Sequence, residues 1–170
     1  MTMPEKILIS ACLLGRPVRY DGRGLPLESR ILSAWLDAGM LVPLCPEVVA
    51  GFPTPRPPAE IEREKSGGDV LDGTARIFED NGRDVTETFV RGAELAVRTA
   101  VEAECRFALL TDGSPSCGSS FIYSGLHDGE TRAGMGVVTA ALRKHGVFVY
   151  AQHQIGALSE HLLSLGSISS

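Results

Sequence analysis

The sequence predicts an α/β fold: a Rossmann-like three-layer α/β/α sandwich on a mainly parallel sheet, with a small β-hairpin insert. Three observations predict it. Residues 6–12, 40–44, 107–110 and 147–150 are short runs, apolar at nearly every position, as in strands covered on both faces. Segments 26–38, 84–105 and 137–145 repeat their apolar residues at helical spacing. The two kinds of segment alternate, which implies parallel pairing through right-handed crossovers. At 170 residues the chain is read as one domain, 1–170, long enough to bury about 70% of its unfolded surface.

The elements follow in order. The first strand, 6–12, ends at Cys12 and is expected inside the sheet. A polar loop with Arg16, Arg19, Tyr20, Asp21 and Arg23 comes next. The helix 26–38 sets Ile31, Leu32, Trp35 and Leu36 on one face and stops at Gly39. The second strand, 40–44, ends at Cys45, with Pro43 expected near its edge. Five prolines between 46 and 58 stiffen the following loop. Short strands are expected at 61–65, 69–71 and 76–78, with Asp72-Gly73 as a hairpin turn. Asp84 and Glu87 have capping-box spacing for a helix reaching about Cys105, its buried side Phe89, Ala93, Ala96, Val97, Ala100 and Val101. The strand 107–110 stops at Asp112-Gly113, a turn signal. Residues 119–123 read as a hairpin arm and 125–131 as a polar loop. Gly134-Met-Gly136 opens the helix 137–145; its glycines serve a turn more readily than an anion. A strand at 147–150 and a short helix at 158–165 complete the chain.

Composition excludes several classes of function. A net charge of −5 provides no general attraction to nucleic acid or anionic lipid. The first residues lack the basic-then-apolar pattern of a signal peptide, and no apolar run is long enough to span a bilayer. A cytoplasmic protein without membrane contact is expected. There its four cysteines stay reduced, so metal binding, catalysis or packing are their natural roles.

The chemistry concentrates at strand ends. Cys12, Cys45 and Cys117 each follow the carboxyl end of an expected parallel strand, the edge where open α/β sheets bind ligands. Ser114, Pro115, Ser116, Cys117 and Gly118 carry little side-chain bulk, leaving amides and hydroxyls open to a ligand. Three thiolates without C-x-x-C pairing suit a soft metal or a cluster with one open position, and spacing leaves zinc and iron–sulfur both open. Cys105 reads as a packed thiol. His127, His145 and His153 show no ligand spacing with the cysteines and read as surface or core.

Ser10-Ala-Cys-Leu-Leu-Gly15, Arg19-Tyr-Asp-Gly22, Cys45-Pro-Glu47, Pro53-Thr-Pro-Arg-Pro-Pro-Ala-Glu60 and Ser114-Pro-Ser-Cys-Gly118 together resemble the DUF523 family, which includes an iron–sulfur-dependent thiouracil desulfidase. The resemblance spans residue 6 to about 150. It implies a 4Fe-4S cluster held by Cys12, Cys45 and Cys117 with a fourth iron free. It puts the catalytic glutamate on Glu47 and the catalytic serine on Ser114. Many relatives carry a further cysteine where this chain has Val18, so that position is not a required ligand. The implied reaction is non-redox: water replaces the sulfur of a thiolated nucleobase such as thiouracil, with Glu47 taking the water's proton. Arg19, Tyr20, Arg56 and Ser116 are the candidate substrate contacts, and arginines in these loops would offset the charge of an anionic site. The substrate class is a small thiolated base or nucleotide; a tRNA thiouridine fits the acidic chain less well. Oligomeric state stays open. Two other readings use the same residues: a zinc hydrolase on the three thiolates, and a non-catalytic iron–sulfur sensor or binding module.

Overall fold

The structure is a computed structural model and describes residues 4–169. Four parallel strands form the central sheet in the order β2-β1-β5-β8: β1 is Lys6–Ser10, β2 Leu41–Leu44, β5 Cys105–Leu110 and β8 Phe148–Ala151. The first strand lies inside the sheet, as expected. Successive residues of a strand face opposite sides, and here both sides are apolar. Leu8, Ala108, Leu110 and Val149 face one core cluster; Ile7, Ile9, Phe107 and Leu109 face the other. The first cluster packs under α4 (Thr86–Glu102) and α5 (Val137–Lys144). The second packs under α1 (Arg30–Asp37) and α6 (Ile155–Ser169), with Leu32, Trp35 and Leu158 buried in it.

The chain leaves β1 toward α1 and leaves β5 toward α5, on opposite faces of the sheet. Neighbouring strands whose exits diverge open a crevice at their carboxyl ends. Three small elements border that crevice: the one-turn helix α2 (Pro46–Val49), strand β3 (Ala59–Ile61) and strand β6 (Phe121–Tyr123). Strand β4 (Ile77–Glu79) pairs antiparallel with β3, β7 (Thr131–Ala133) with β6, and α3 (Gly67–Leu71) packs against α5.

Several sequence expectations need correction. Residues 69–71 are not a strand. The Asp69 carboxylate accepts the Ser66 amide at 2.9 Å and starts helix α3, so Asp72-Gly73 ends a helix instead of turning a hairpin. The strand expected at 61–65 stops at Ile61, because Glu64 takes a left-handed φ of 64°. No reciprocal box joins Asp84 to Glu87. Asp84 accepts the amide and hydroxyl of Thr86, and Thr86 in turn accepts the Ile77 amide at 2.8 Å. Helix α4 ends at Glu102, so Cys105 begins β5 and does not close the helix. Val101 is 63% exposed, about 100° round from the buried stripe through Ala96 and Ala100. Leu36 is likewise exposed on α1, about 100° round from Trp35 and on the side of Leu32 away from it. The first turn expected of the 26–38 helix is irregular chain, and Ser29 caps α1 by accepting the Leu32 amide. Strand β7 has no apolar signal and lies in and just after the segment read as a polar loop.

Gly134-Met-Gly136 acts as a turn. A Cβ on Gly136 would lie 2.4 Å from the Ser116 carbonyl oxygen. The first amides of α5, on Val137 and Val138, already donate to the carbonyls of Pro115 and Ser116. The helix start therefore fastens the Ser114–Gly118 loop and has no free amides for an anion.

Candidate active site at the carboxyl rim of the sheet

Cys12 sits just past β1, in the 3-10 turn Ala11–Leu14, where its Sγ meets the Thr111 hydroxyl at 2.8 Å. Cys45 follows β2 and precedes α2; its thiol donates to the Val18 carbonyl at 3.8 Å, and the Val48 amide is directed at its sulfur. Cys117 lies seven residues past β5. Its amide donates to Ser114 Oγ at 2.7 Å, and the Ser10 hydroxyl, which accepts the Thr111 amide at 2.9 Å, acts on its thiol against the effect of burial. All three are free thiols lining one cavity of ≈ 500 Å³. Cys12 and Cys117 are only 7% and 6% exposed, yet what exposure they have faces that cavity. The sulfurs lie within electrostatic reach of one another: Cys45 bears on Cys12, and both bear on Cys117.

Burial is the largest influence on each thiol and pushes all three upward. For Cys12 the Thr111 hydroxyl and Arg19 oppose it; for Cys45 the Val48 amide and Arg56 do; for Cys117 the Ser10 hydroxyl does. Cys117 is raised well above the ordinary thiol range, with Glu47 and Cys45 adding to the effect of burial. Three thiols so placed keep their protons until a cationic centre compensates the charge of the thiolates.

The donor set can be tested against a metal group. Among the described residues no three His, Cys, Asp or Glu side chains are gathered to hold a single ion. Zinc would need its thiolates converging on one point at about 2.3 Å. A cluster instead takes each thiolate on a different iron, so its sulfurs stand apart around one small cube and do not meet at a point. Three soft donors around ≈ 500 Å³, with Thr111, Ser10 and the Val48 amide placed to bond their sulfurs, fit a cluster.

Glu47 is in the first turn of α2, and 15% of its side chain is exposed, toward the same cavity. Burial raises its carboxyl above the usual range, against the opposing effects of Arg56 and the Ser116 hydroxyl. Arg56 Nε donates to Glu47 Oε1 at 3.1 Å. Ser114 lines the cavity, and its Oγ accepts the amides of Ser116 and Cys117. With its lone pairs so occupied, its O–H is the group left to donate.

The candidate substrate contacts divide. Arg19 and Tyr20 line the cavity, Tyr20 as an exposed ring at the mouth. Arg56 also lines it, but its guanidinium is occupied by protein acceptors. Ser116 is 1% exposed and stands outside the lining, against Glu47. Arg16 and Arg23 do not reach the cavity wall.

Sequence reasoning missed part of the wall. Thr111 was not singled out, although it touches Cys12. Phe121 and Tyr123 are exposed and line the mouth, while Ile122 between them is buried. That aromatic–aliphatic–aromatic alternation was a usable signal for one face of a strand. The Phe121 ring lies over Gly113, whose φ of +94° and absent Cβ let the two approach; a Cβ there would be 3.0 Å from the ring. His127 lines the mouth and pairs with Glu60 at 3.3 Å. Asp112 collects the amides of Gly113, Ser119, Ser120 and Phe121 and the hydroxyl of Ser120, which holds this loop in shape.

Residues 7–154 match the 2-thiouracil desulfurase family. An uncharacterized protein of Bacillus subtilis (strain 168), YbbK, is 40% identical over 149 residues, which cover 88% of this chain and 97% of that protein. A solved structure described as the [4Fe-4S]-dependent thiouracil desulfidase TudS (DUF523Vcz) is 46% identical. It superposes with a TM-score of 0.85 over 95% of this chain and 99% of its own.

Proposed function

This chain belongs to the 2-thiouracil desulfurase family, and from that premise we propose that it is a 4Fe-4S-dependent desulfidase. In this reading it replaces the sulfur of a thiolated nucleobase such as thiouracil with oxygen from water. One observation carries the reading. Three thiols from three distant loops and the Glu47 carboxylate line a single cavity at the carboxyl rim of the sheet, in a chain similar throughout to a [4Fe-4S]-dependent thiouracil desulfidase.

Cys12, Cys45 and Cys117 would hold the cluster, leaving one iron without a protein ligand. That iron would supply a Lewis acid with affinity for thiocarbonyl sulfur. The chain's own residues supply the rest. Glu47 takes a proton from the attacking water at its carboxylate, which Arg56 and Ser116 hold in place. Ser114, both of whose oxygen lone pairs are engaged by amides, donates its O–H to the ring or to the water. Tyr20, Phe121 and Tyr123 offer flat apolar faces at the mouth, suited to a planar heteroaromatic ring. Arg19 bears on Cys12 and offsets negative charge at the inner end. The overall change is a thiocarbonyl and water giving a carbonyl and hydrogen sulfide. Its atoms and protons balance with no oxidant or reductant.

Reconstitution with iron and sulfide under anaerobic conditions, followed by hydrosulfide release from 2-thiouracil, tests this. The expected result is about four irons per chain and turnover that depends on them. Iron without turnover would leave the sensor or binding-module reading; zinc in protein purified without oxygen, with turnover that needs no iron, would favour the zinc hydrolase.

A further inference from the structure

We propose that Arg56 is a positioning residue that locks two ligand-bearing loops together and seats Glu47, and is not a substrate contact. The proposal rests on the desulfidase reading for its kinetic consequence and on geometry alone for its structural one.

A guanidinium has five N–H donors in a rigid fork. In Arg56 four of them are used within the protein. Nε donates to Glu47 Oε1 at 3.1 Å; Nη1 donates to the Pro53 carbonyl at 3.2 Å and to Thr54 Oγ1 at 3.1 Å; Nη2 donates to the Val18 carbonyl at 2.8 Å. Only 3% of the side chain is exposed, so little of it can meet a substrate. The main chain adds a fifth tie, from the Arg56 amide to the Tyr20 carbonyl at 2.7 Å.

These partners belong to two separate segments. Val18 and Tyr20 are in the loop after Cys12; Glu47, Pro53 and Thr54 are in the stretch after Cys45. Arg56 joins them directly above the sheet rim. The Val18 carbonyl that Arg56 holds is also the acceptor of the Cys45 thiol, at 3.8 Å. One side chain thus sets the distance between the seats of two thiols and the orientation of the carboxylate beside them. Lysine has the same charge, but its donors radiate from a single nitrogen and cannot span these four acceptors.

The test compares Arg56→Lys, Arg56→Met and Thr54→Val with wild type. Thr54 is exposed, so its variant removes a single clasp bond with little risk to folding. Hydrogen exchange on the cluster-free protein reads the clasp without activity. Exchange is expected to rise in residues 16–24 and 51–57 of both Arg56 variants, and in 51–57 of Thr54→Val, with helix 86–102 unchanged. In the reconstituted enzyme Arg56→Lys lowers kcat for 2-thiouracil on the order of tenfold or more at unchanged KM. A raised KM with unchanged kcat and exchange would make Arg56 a substrate contact and overturn the proposal. Full recovery by lysine of what methionine loses would reduce the role to charge balance, and overturn it equally. If the wild type itself releases no hydrosulfide, the desulfidase reading fails while the exchange results still decide the clasp.

Discussion

Strand β5 carries a cysteine at its amino end and leads to another beyond its carboxyl end, and the two meet different surroundings. Cys105 is buried at the lower rim, beside a depression of ≈ 550 Å³ walled by Val97, Ala100, Leu142 and Val147. Burial pushes its thiol up to about 11, with only Lys6 opposing. Cys117 is equally buried, but the Ser10 hydroxyl opposes the effect of burial on its thiol and two other thiols share its cavity. Exposure does not separate Cys105 from Cys117, the proposed ligand. The separation lies in donors to the sulfur and in neighbours of the same kind. Cys12 with Thr111 and Cys45 with the Val48 amide repeat the pattern of Cys117 with Ser10; Cys105 has none of it.

The largest effect is expected at the three thiols of the upper rim. Replacing any one of Cys12, Cys45 or Cys117 by alanine is expected to abolish stable iron loading and turnover together, read as iron per chain after anaerobic reconstitution. Iron retained at wild-type level by one of them would remove that residue from the ligand set.

The next effect is at Glu47. Glu47→Gln keeps the shape and leaves iron loading intact, while hydrosulfide release falls on the order of 10²–10⁴-fold, the usual worth of a positioned general base. Loss of iron in the same variant would mean that Glu47 holds the site together and does not act on the water.

Asp112 governs stability at the upper rim, where its carboxylate gathers four amides and a hydroxyl of one loop. Burial pushes its carboxyl up, but the Ser120 hydroxyl and the amides of Ser119, Ser120 and Phe121 together outweigh burial and hold it below the ordinary aspartate range. A carboxyl lowered in the folded state stabilises the fold above its unfolded value, and that contribution is lost as pH falls through the folded value. Asp112→Ala is expected to cost about 2–4 kcal/mol near neutral pH, measured by urea unfolding. The gap from wild type should narrow as pH falls below the ordinary aspartate range, where the charge-linked part of the contribution is lost.

The smallest effect is expected at the lower rim. Cys105→Ala should load iron and turn over as wild type does, at a cost of about 1 kcal/mol in unfolding free energy. Iron loss there would erase the distinction drawn between the two ends of β5.

The sheet was legible because its evidence is local. Ile7, Leu8 and Ile9, or Phe107 to Leu110, are apolar on both faces, as a short strand covered on both sides requires. The insert was less legible. Val70-Leu71 looks like strand until the Asp69 carboxylate captures the Ser66 amide, and Thr131–Ala133 has no apolar residue pattern to announce its pairing with β6. Phe121 and Tyr123 alternate about Ile122 in plain view, but their place at a cavity mouth depends on Gly113 and on where the hairpin folds back.

By itself the sequence determined the alternation of strands and helices, and hence that Cys12, Cys45 and Cys117 share one rim; parallel strands leave no other end for residues that follow them. The tertiary structure decided what each side chain does at that rim. Arg56 reads in the sequence as a free cation in a proline-rich loop, and Ser116 as an open hydroxyl. Folding commits one to Val18, Glu47, Pro53 and Thr54 and turns the other behind Glu47. The reason is that a hydrogen bond between residues 38 apart, as from Arg56 to Val18, depends on how two loops meet, and no local periodicity encodes that meeting.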